Sequence, residues 1–371
     1  MTVVAAGFEG VAAEFDRALD GGGAAFAAVV DGEPVVDLWG GGVERETLLL
    51  IFSGTKGLVA VCMLILLERG LLELDAPVAR YWPEFDKPGA LVRHVVSHTA
   101  GLPGLRRGFT ASDLLDGRRM AGELAVEPAF WPPGERLAYH ALTYGWLCDE
   151  LIRRVDGRST GRFFADEVAR PLELELWIGL PAEQEHRVAR LHRAEGYAPT
   201  ALAEHPDPPL EVLYGNLAAE FVWNDQAVHR TEIPAANAIG TARSIAQLYG
   251  NLERILSAKT IELGRTELSR DLCAVTGRPY AFGVGFELQT ELCTLGPPPA
   301  AFGHTGSGGS SHGAWPEERA GFSYAMTELR PEAVDGRARD VLAALAQALR
   351  ERSSVDQKSS PVSMYRREPS G

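Results

Sequence analysis

Residues 9–19 set apolar side chains at helical spacing among charged ones, and residues 24–39 replace that rhythm with a nearly continuous apolar run broken at Asp31-Gly32, a hairpin dipeptide. This pattern predicts a helix followed by two paired strands. A second apolar run, 48–52, leads into Ser53-Gly54-Thr55-Lys56 and a helix that is apolar on every side to about Arg69. From residue 71 to about 237, helical patterns at 93–98, 111–115, 138–155 and 161–168 alternate with loops rich in proline and charge, and strand signals are scarce. A further helix, 241–256, precedes strand signals at 281–288, 301–304 and 320–327 and a closing helix at 340–352. An α/β architecture follows. Residues 1–70 and 238–352 are expected to form one domain around a shared sheet, with 71–237 as a mostly helical insertion. Residues 353–371 are polar, contain Pro361 and Pro369, and are expected to form a disordered tail.

Composition narrows the classes of function. The chain has 371 residues, 46% hydrophobic and 23% charged, enough to bury a large core. Its net charge of −14 repels phosphate backbones and anionic membrane surfaces, so neither nucleic acid nor membrane is an expected partner. The longest apolar stretch, 57–67, is too short to span a bilayer, and residues 1–10 carry no basic residue of the kind a signal peptide uses, so a cytoplasmic address is expected. Cys62, Cys148, Cys273 and Cys293 are far apart, as reduced thiols would be. Four of the thirty-six basic residues are lysine (Lys56, Lys87, Lys259, Lys358) and the rest arginine. Such a chain raises the question of where it needs an amine able to give up its proton, which guanidinium cannot do.

Ser53-x-x-Lys56 answers it. Three residues apart at a helix start, both side chains lie on one face, and the free backbone N–H groups there favour developing negative charge. A lysine made neutral by burial can then take the serine proton. Two further segments supply partners: Tyr139-His140-Ala141, opening the predicted helix 138–155, and Gly303-His304-Thr305-Gly306-Ser307-Gly308-Gly309, ending a predicted strand.

These three motifs, in this order and at these separations, resemble the serine β-lactamase-like superfamily, in the branch of class C β-lactamases, penicillin-binding-protein-like carboxylesterases and transacylases. Residues 95–103 (VVSHTAGLP) and 70–78 (GLLELDAPV) are similar to two further signatures of that branch. The resemblance implies a β-lactamase-like fold with an antiparallel sheet flanked by helices from both chain ends. It also implies Ser53 as nucleophile, Lys56 as its base partner and Tyr139 as a second acid/base group, with the question of which of the two is the principal base left open. The oxyanion hole would be the backbone N–H groups of Ser53 and Ser307. His304, Thr305, Gly306 and His140 would contact substrate. No cofactor or metal is expected.

Two departures from the lactamase pattern bear on substrate. Ala141 stands where the lactamases have the asparagine of Tyr-x-Asn, and His304 stands where they have the lysine of Lys-Thr-Gly. Both remove groups that would hold a β-lactam, and the expected activity is that of a carboxylesterase or ester-using transacylase on a small molecule, with secondary metabolism as one setting for it. Its partners would be an ester donor with a water, amine or alcohol acceptor. The alternatives are a β-lactamase or D-Ala-D-Ala peptidase, and a non-catalytic ligand-binding homologue.

Competing motifs are weaker. Gly309-Ser310-Ser311-His312-Gly313 matches a nucleophile elbow, yet no histidine follows His312 to complete that triad's order, and the segment reads as a glycine-rich turn. His94 and His98, four apart on a predicted helix, lack the glutamate of a zinc protease, and His186 with His192 reads as solvated surface. Trp82, Trp131, Trp146 and Trp315 fit a pocket wall or the core equally well.

Overall fold

The computed structural model describes residues 3–19, 21–197, 212–213, 221–331 and 334–359. The chain opens with β1 (Val3–Val4), α1 (Glu9–Ala18), β2 (Ala24–Val30), β3 (Glu33–Gly40), β4 (Leu49–Leu50) and α2 (Thr55–Glu68). It continues through α3 (Val92–Val96), α4 (Gly117–Val126), α5 (Thr143–Asp156), α6 (Thr160–Phe164), β5 (Leu176–Ile178), β6 (His192–Arg193) and α7 (Gln226–Arg230). The last stretch holds β7 (Ala238–Gly240), α8 (Ala242–Gly250), α9 (Ala258–Arg265), β8 (Ser269–Leu272), β9 (Pro279–Phe282) and β10 (Glu287–Leu288). β11 (Phe302–Gly306), β12 (Ser310–Trp315), β13 (Ala320–Met326), β14 (Glu328–Leu329) and α10 (Arg337–Ser359) close it.

Nine strands form an antiparallel sheet in the order β1-β3-β2-β13-β12-β11-β10-β9-β8, joining the first forty residues to the last third of the chain. The turn between β2 and β3 has positive φ at both Asp31 (54°) and Gly32 (79°), the backbone that this dipeptide tolerates in a two-residue hairpin. β2 is buried on both faces, which explains its unbroken apolar run. Ala25, Ala27 and Val29 face a core shared with α2, α5 and α8, while Phe26, Ala28 and Val30 face the layer built by Phe15 of α1 and Leu342 and Leu345 of α10. A small sheet, β4-β7-β5, braces the chain just before α2.

α2 is buried continuously from Thr55 to Leu66 and runs through the centre of the larger core, so its first turn is held rigidly where the sheet ends. At Gly57 an added Cβ would stand 2.0 Å from the Tyr249 hydroxyl, so only glycine lets α8 approach this turn.

The structure corrects several sequence expectations. The helix expected at 138–155 begins at Thr143, because residues 138–142 spend their backbone groups on tertiary partners. The strand expected at 281–288 is two, β9 and β10, separated by a turn with Gly285 at φ 76°. The glycine-rich segment 309–313 is mostly strand, within β12, and the turn is confined to 307–309. The closing helix begins at Arg337 and runs to Ser359, so 353–359 of the expected tail is helical, and 360–371 lies outside the described residues. α4, α9 and β8 were not anticipated. The signal for α4 is Asp116, whose carboxylate accepts from the Arg119 N–H at 3.0 Å and caps that helix.

Candidate active site

Phe52 adopts φ 47°, a left-handed conformation uncommon for an aromatic residue, and this turns the chain from β4 into α2 with Ser53 facing a cavity of about 550 Å³. Thr55 fixes the turn: its hydroxyl donates to the Phe52 carbonyl at 2.5 Å and accepts from the Ala238 N–H at 2.8 Å. In the first turn of the helix, the fully buried Lys56 places Nζ 3.0 Å from Ser53 Oγ and 2.8 Å from each of the Ala141 and Ala235 carbonyl oxygens. Burial holds its proton affinity well below the ordinary lysine value, against the opposing charge of Glu287. The three partners fit either protonation state: an ammonium would donate to all three, whereas the neutral amine that burial favours donates to two and turns its lone pair to the third. Carbonyls only accept, so a neutral amine commits its two N–H bonds to Ala141 and Ala235 and directs its lone pair at the Ser53 hydroxyl.

Tyr139 enters the same cavity from a loop, its ring centroid 4.9 Å from Lys56 Nζ. The 95–103 segment holds that loop. His98, itself at φ 60°, accepts the His140 N–H on Nδ1 at 2.9 Å, its carbonyl accepts from the Ala138 N–H, and the Leu102 carbonyl accepts from the Thr143 hydroxyl. His140 is fully buried and completes the brace, donating from Nδ1 to the Ala138 carbonyl at 2.6 Å and accepting the Leu102 N–H on Nε2 at 3.2 Å. Burial lowers its proton affinity to about 4.

The third wall comes from β11 and the turn after it. His304, 1% exposed, donates from Nδ1 to the Thr305 carbonyl at 2.7 Å, and burial lowers it to about 4, so the imidazole is neutral at physiological pH. Thr305 donates its N–H (2.9 Å) and hydroxyl (2.7 Å) to the buried carboxylate of Glu287. That carboxylate is held below the usual range: burial alone would raise it, but the charge of Arg278, the Thr305 donors and, in its protonated form, His304 outweigh burial. Gly306 allows the close approach, since a Cβ there would stand 2.4 Å from the Ile51 carbonyl oxygen. Ser307 shares a 2.6 Å hydrogen bond with the Tyr197 hydroxyl and lines the cavity together with Ser53. Phe52, Leu142, Phe221 and Trp223 make much of the remaining wall apolar.

Residues 8–347 match the family model described as Beta-lactamase. The chain belongs to the beta-lactamase family. Among curated relatives of this beta-lactamase-family chain, Esterase/beta-lactamase LipL of Mycobacterium tuberculosis (strain ATCC 25618 / H37Rv) is 35% identical over 341 residues, covering 83% of this chain and 77% of the relative. Among solved structures, a family VIII carboxylesterase superposes with a TM-score of 0.85 at 33% identity over 94% of this chain and 99% of its own. A penicillin-binding protein homolog from Caulobacter crescentus gives 0.84 at 31% identity over the same shares. The protein is accordingly a serine esterase/beta-lactamase-like enzyme with an acyl-transfer role, and its fold is the antiparallel, helix-flanked β-lactamase type.

Of the residues singled out in the sequence, Ser53, Lys56, Tyr139, His304, Thr305, Gly306 and Ser307 converge on one cavity. His140 does not. Its ring is spent on the loop beneath Tyr139, so its expected substrate contact is corrected to a bracing role. His98 lies beyond the end of α3, and His94 accepts the Leu91 N–H at 3.2 Å, so the two do not share a helix face. His186 and His192 are exposed. Trp82, Trp131, Trp146 and Trp315 are buried in the cores, and the tryptophan that lines the cavity is Trp223. Cys62, Cys148 and Cys273 are buried free thiols, whereas Cys293 is exposed. Among the described residues no helix is long and apolar enough to cross a membrane. Sequence reasoning missed Tyr197, Arg278, Tyr280 and Glu287. The available signal was an acidic residue inside the otherwise apolar strand pattern 281–288.

Proposed function

We propose that this enzyme takes the acyl group of small esters onto Ser53 and passes it to water or to an alcohol or amine. The observation that carries this reading is the three-way coordination of Lys56 Nζ, which leaves a lone pair for the Ser53 proton only when the amine is neutral. Lys56 takes that proton as Ser53 Oγ attacks the ester carbonyl. The backbone N–H groups of Ser53 and Ser307 receive the developing oxyanion, a contribution of about 3 kcal/mol per donor in such sites. Tyr139, beside Lys56, relays the proton to the leaving alkoxide. The second half runs in reverse, with the acceptor entering from the cavity.

Ester preference over β-lactams rests on two side chains. Ala141 gives the cavity a methyl where an amide would bind an acylamino group, and the neutral His304 offers no fixed cation at the motif position where Lys-Thr-Gly has one. An amide or carboxylate desolvated there without its partner costs about 1–3 kcal/mol per missing bond. The test is a side-by-side measurement of kcat/KM for p-nitrophenyl butyrate and a chromogenic cephalosporin, each with and without a primary amine. The ester should react at least about tenfold better. Equal values would overturn the ester preference, and amide product outpacing acid would make transfer, not hydrolysis, the main reaction.

A further inference from the structure

Arg278, just before β9, and Glu287 of β10 form a buried charged pair outside all three motifs, with Arg278 lining the cavity. Glu287 is 3% exposed, and its Oε2 accepts from Thr305 and lies 3.6 Å from His304 Nδ1. Its Oε1 stands 3.7 Å from Nη2 of Arg278, whose side chain is 13% exposed and lines the cavity. The guanidinium carbon lies 5.0 Å from the Tyr280 ring centroid, and Tyr280 stacks on Tyr139 at 5.1 Å with 12° between the planes. The positive end of the pair thus adjoins the tyrosine stack, and the negative end adjoins the β11 wall and acts on Lys56.

Several other titratable groups around Lys56 and Tyr139 are held towards their neutral forms by burial. From α5 these are Cys148 and Tyr144, both pushed up by burial; from the bracing loops, His98 and His140; from β11, His304, each histidine pushed down by burial. Tyr280 is likewise pushed up. Arg330, Asp335 and Arg339 also line the cavity, and Arg278 with Glu287 is the charged pair whose contacts reach Tyr280 and His304 and whose carboxylate acts on Lys56.

Resting on the acyl-transfer reading above, we propose that Arg278 and Glu287 are positioning residues that set the proton balance of the site in opposite senses. Arg278 favours the phenolate form of Tyr139. Glu287 favours the ammonium form of Lys56.

The experiment is the pH dependence of kcat/KM with p-nitrophenyl butyrate for the wild type, E287Q, R278M, R278K and the double variant E287Q/R278M. E287Q keeps an oxygen for the Thr305 donors and should move both limbs of the profile down by about one pH unit. R278M should move them up by a similar amount, R278K should restore the wild-type position, and the double variant should lie close to it. Rates that fall without displacement, or displacements of the same sign, overturn the proposal. If R278M does not fold, an unshifted E287Q or a shifted R278K overturns it as well. A Ser53→Ala variant that retained wild-type turnover would instead remove the acyl-transfer reading itself, so the two failures are distinguishable.

Discussion

Lys56 and Lys87 occupy two parts of the molecule that handle a buried amine in the same way up to a point. Lys87 Nζ donates to the Leu124 carbonyl at 2.7 Å and the Ala125 carbonyl at 2.5 Å, in the last turn of α4, where a lysine satisfies open carbonyls and meets the negative end of the helix. Lys56 also donates to two carbonyls. Burial lowers the proton affinity of both, to about 8 for Lys87, where Asp86 and Glu127 partly oppose it, and well below the ordinary lysine value for Lys56. What separates them is the third partner, the Ser53 hydroxyl at 3.0 Å. Scarcity of lysine, burial and a lowered proton affinity therefore do not mark a base by themselves. A hydroxyl in the path of the lone pair does.

The sharpest way to break this comparison is to replace each lysine by arginine. Lys56→Arg keeps the charge but cannot give up its proton, and kcat/KM for p-nitrophenyl butyrate should fall by about 10³-fold or more, as it should for Ser53→Ala with the fold retained. Lys87→Arg should stay within about threefold of wild type, since guanidinium can still donate to the end of α4. Similar losses at both positions would mean that the Ser53 contact adds nothing to a shared structural role.

Tyr139→Phe tests the same distinction one step further out, because it removes a hydroxyl and leaves the ring stacked between Lys56 and Tyr280. A drop of about 10²-fold in kcat with KM little changed is the expected result. A rise in KM alone would reduce Tyr139 to a wall of the cavity.

The site was legible in the sequence to the extent that its parts are local. Ser53 and Lys56 are one helical turn apart, and the Asp31-Gly32 hairpin needs only two residues of favourable backbone, so short-range spacing carries both. Tyr139 and the His304–Ser307 stretch came from motifs whose order along the chain resembled the family now matched over residues 8–347. Arg278, Tyr280 and Glu287 were not legible, because strand pairing brings the first two to the cavity and the third behind its β11 wall. Glu287 sits opposite Gly303 in the register of β10 with β11, a relation that no spacing along the chain encodes. His140 misled for a chemical reason: its residue type and neighbour suggested a ligand contact, while both ring nitrogens serve the backbone. β12 was hidden by its glycine, serine and histidine composition, yet Ser311 and His312 find partners at Thr294 and Ser323 within the sheet region.

The smallest expected effect concerns Lys87 alone and fixes the premise of the comparison. Its folded proton affinity, about 8, lies below the ordinary 10.5, so between those values the unfolded chain holds a proton that the folded chain has released. Stability contributed by this residue must then rise as pH increases from about 8 towards 10.5. Below 8 both states are protonated, and the cost of burying the charge stands in full. Replacing Lys87 by methionine removes the titration together with the two hydrogen bonds to α4. The melting temperature of wild type minus that of Lys87→Met should therefore increase between pH 7 and pH 10, by about 1–3 °C, while kcat at pH 7 stays the same. A difference that stays flat or shrinks over this range would show that Lys87 keeps its proton despite burial. The contrast with Lys56 would then lie in proton affinity itself, and the Ser53 hydroxyl would no longer be the feature that distinguishes them.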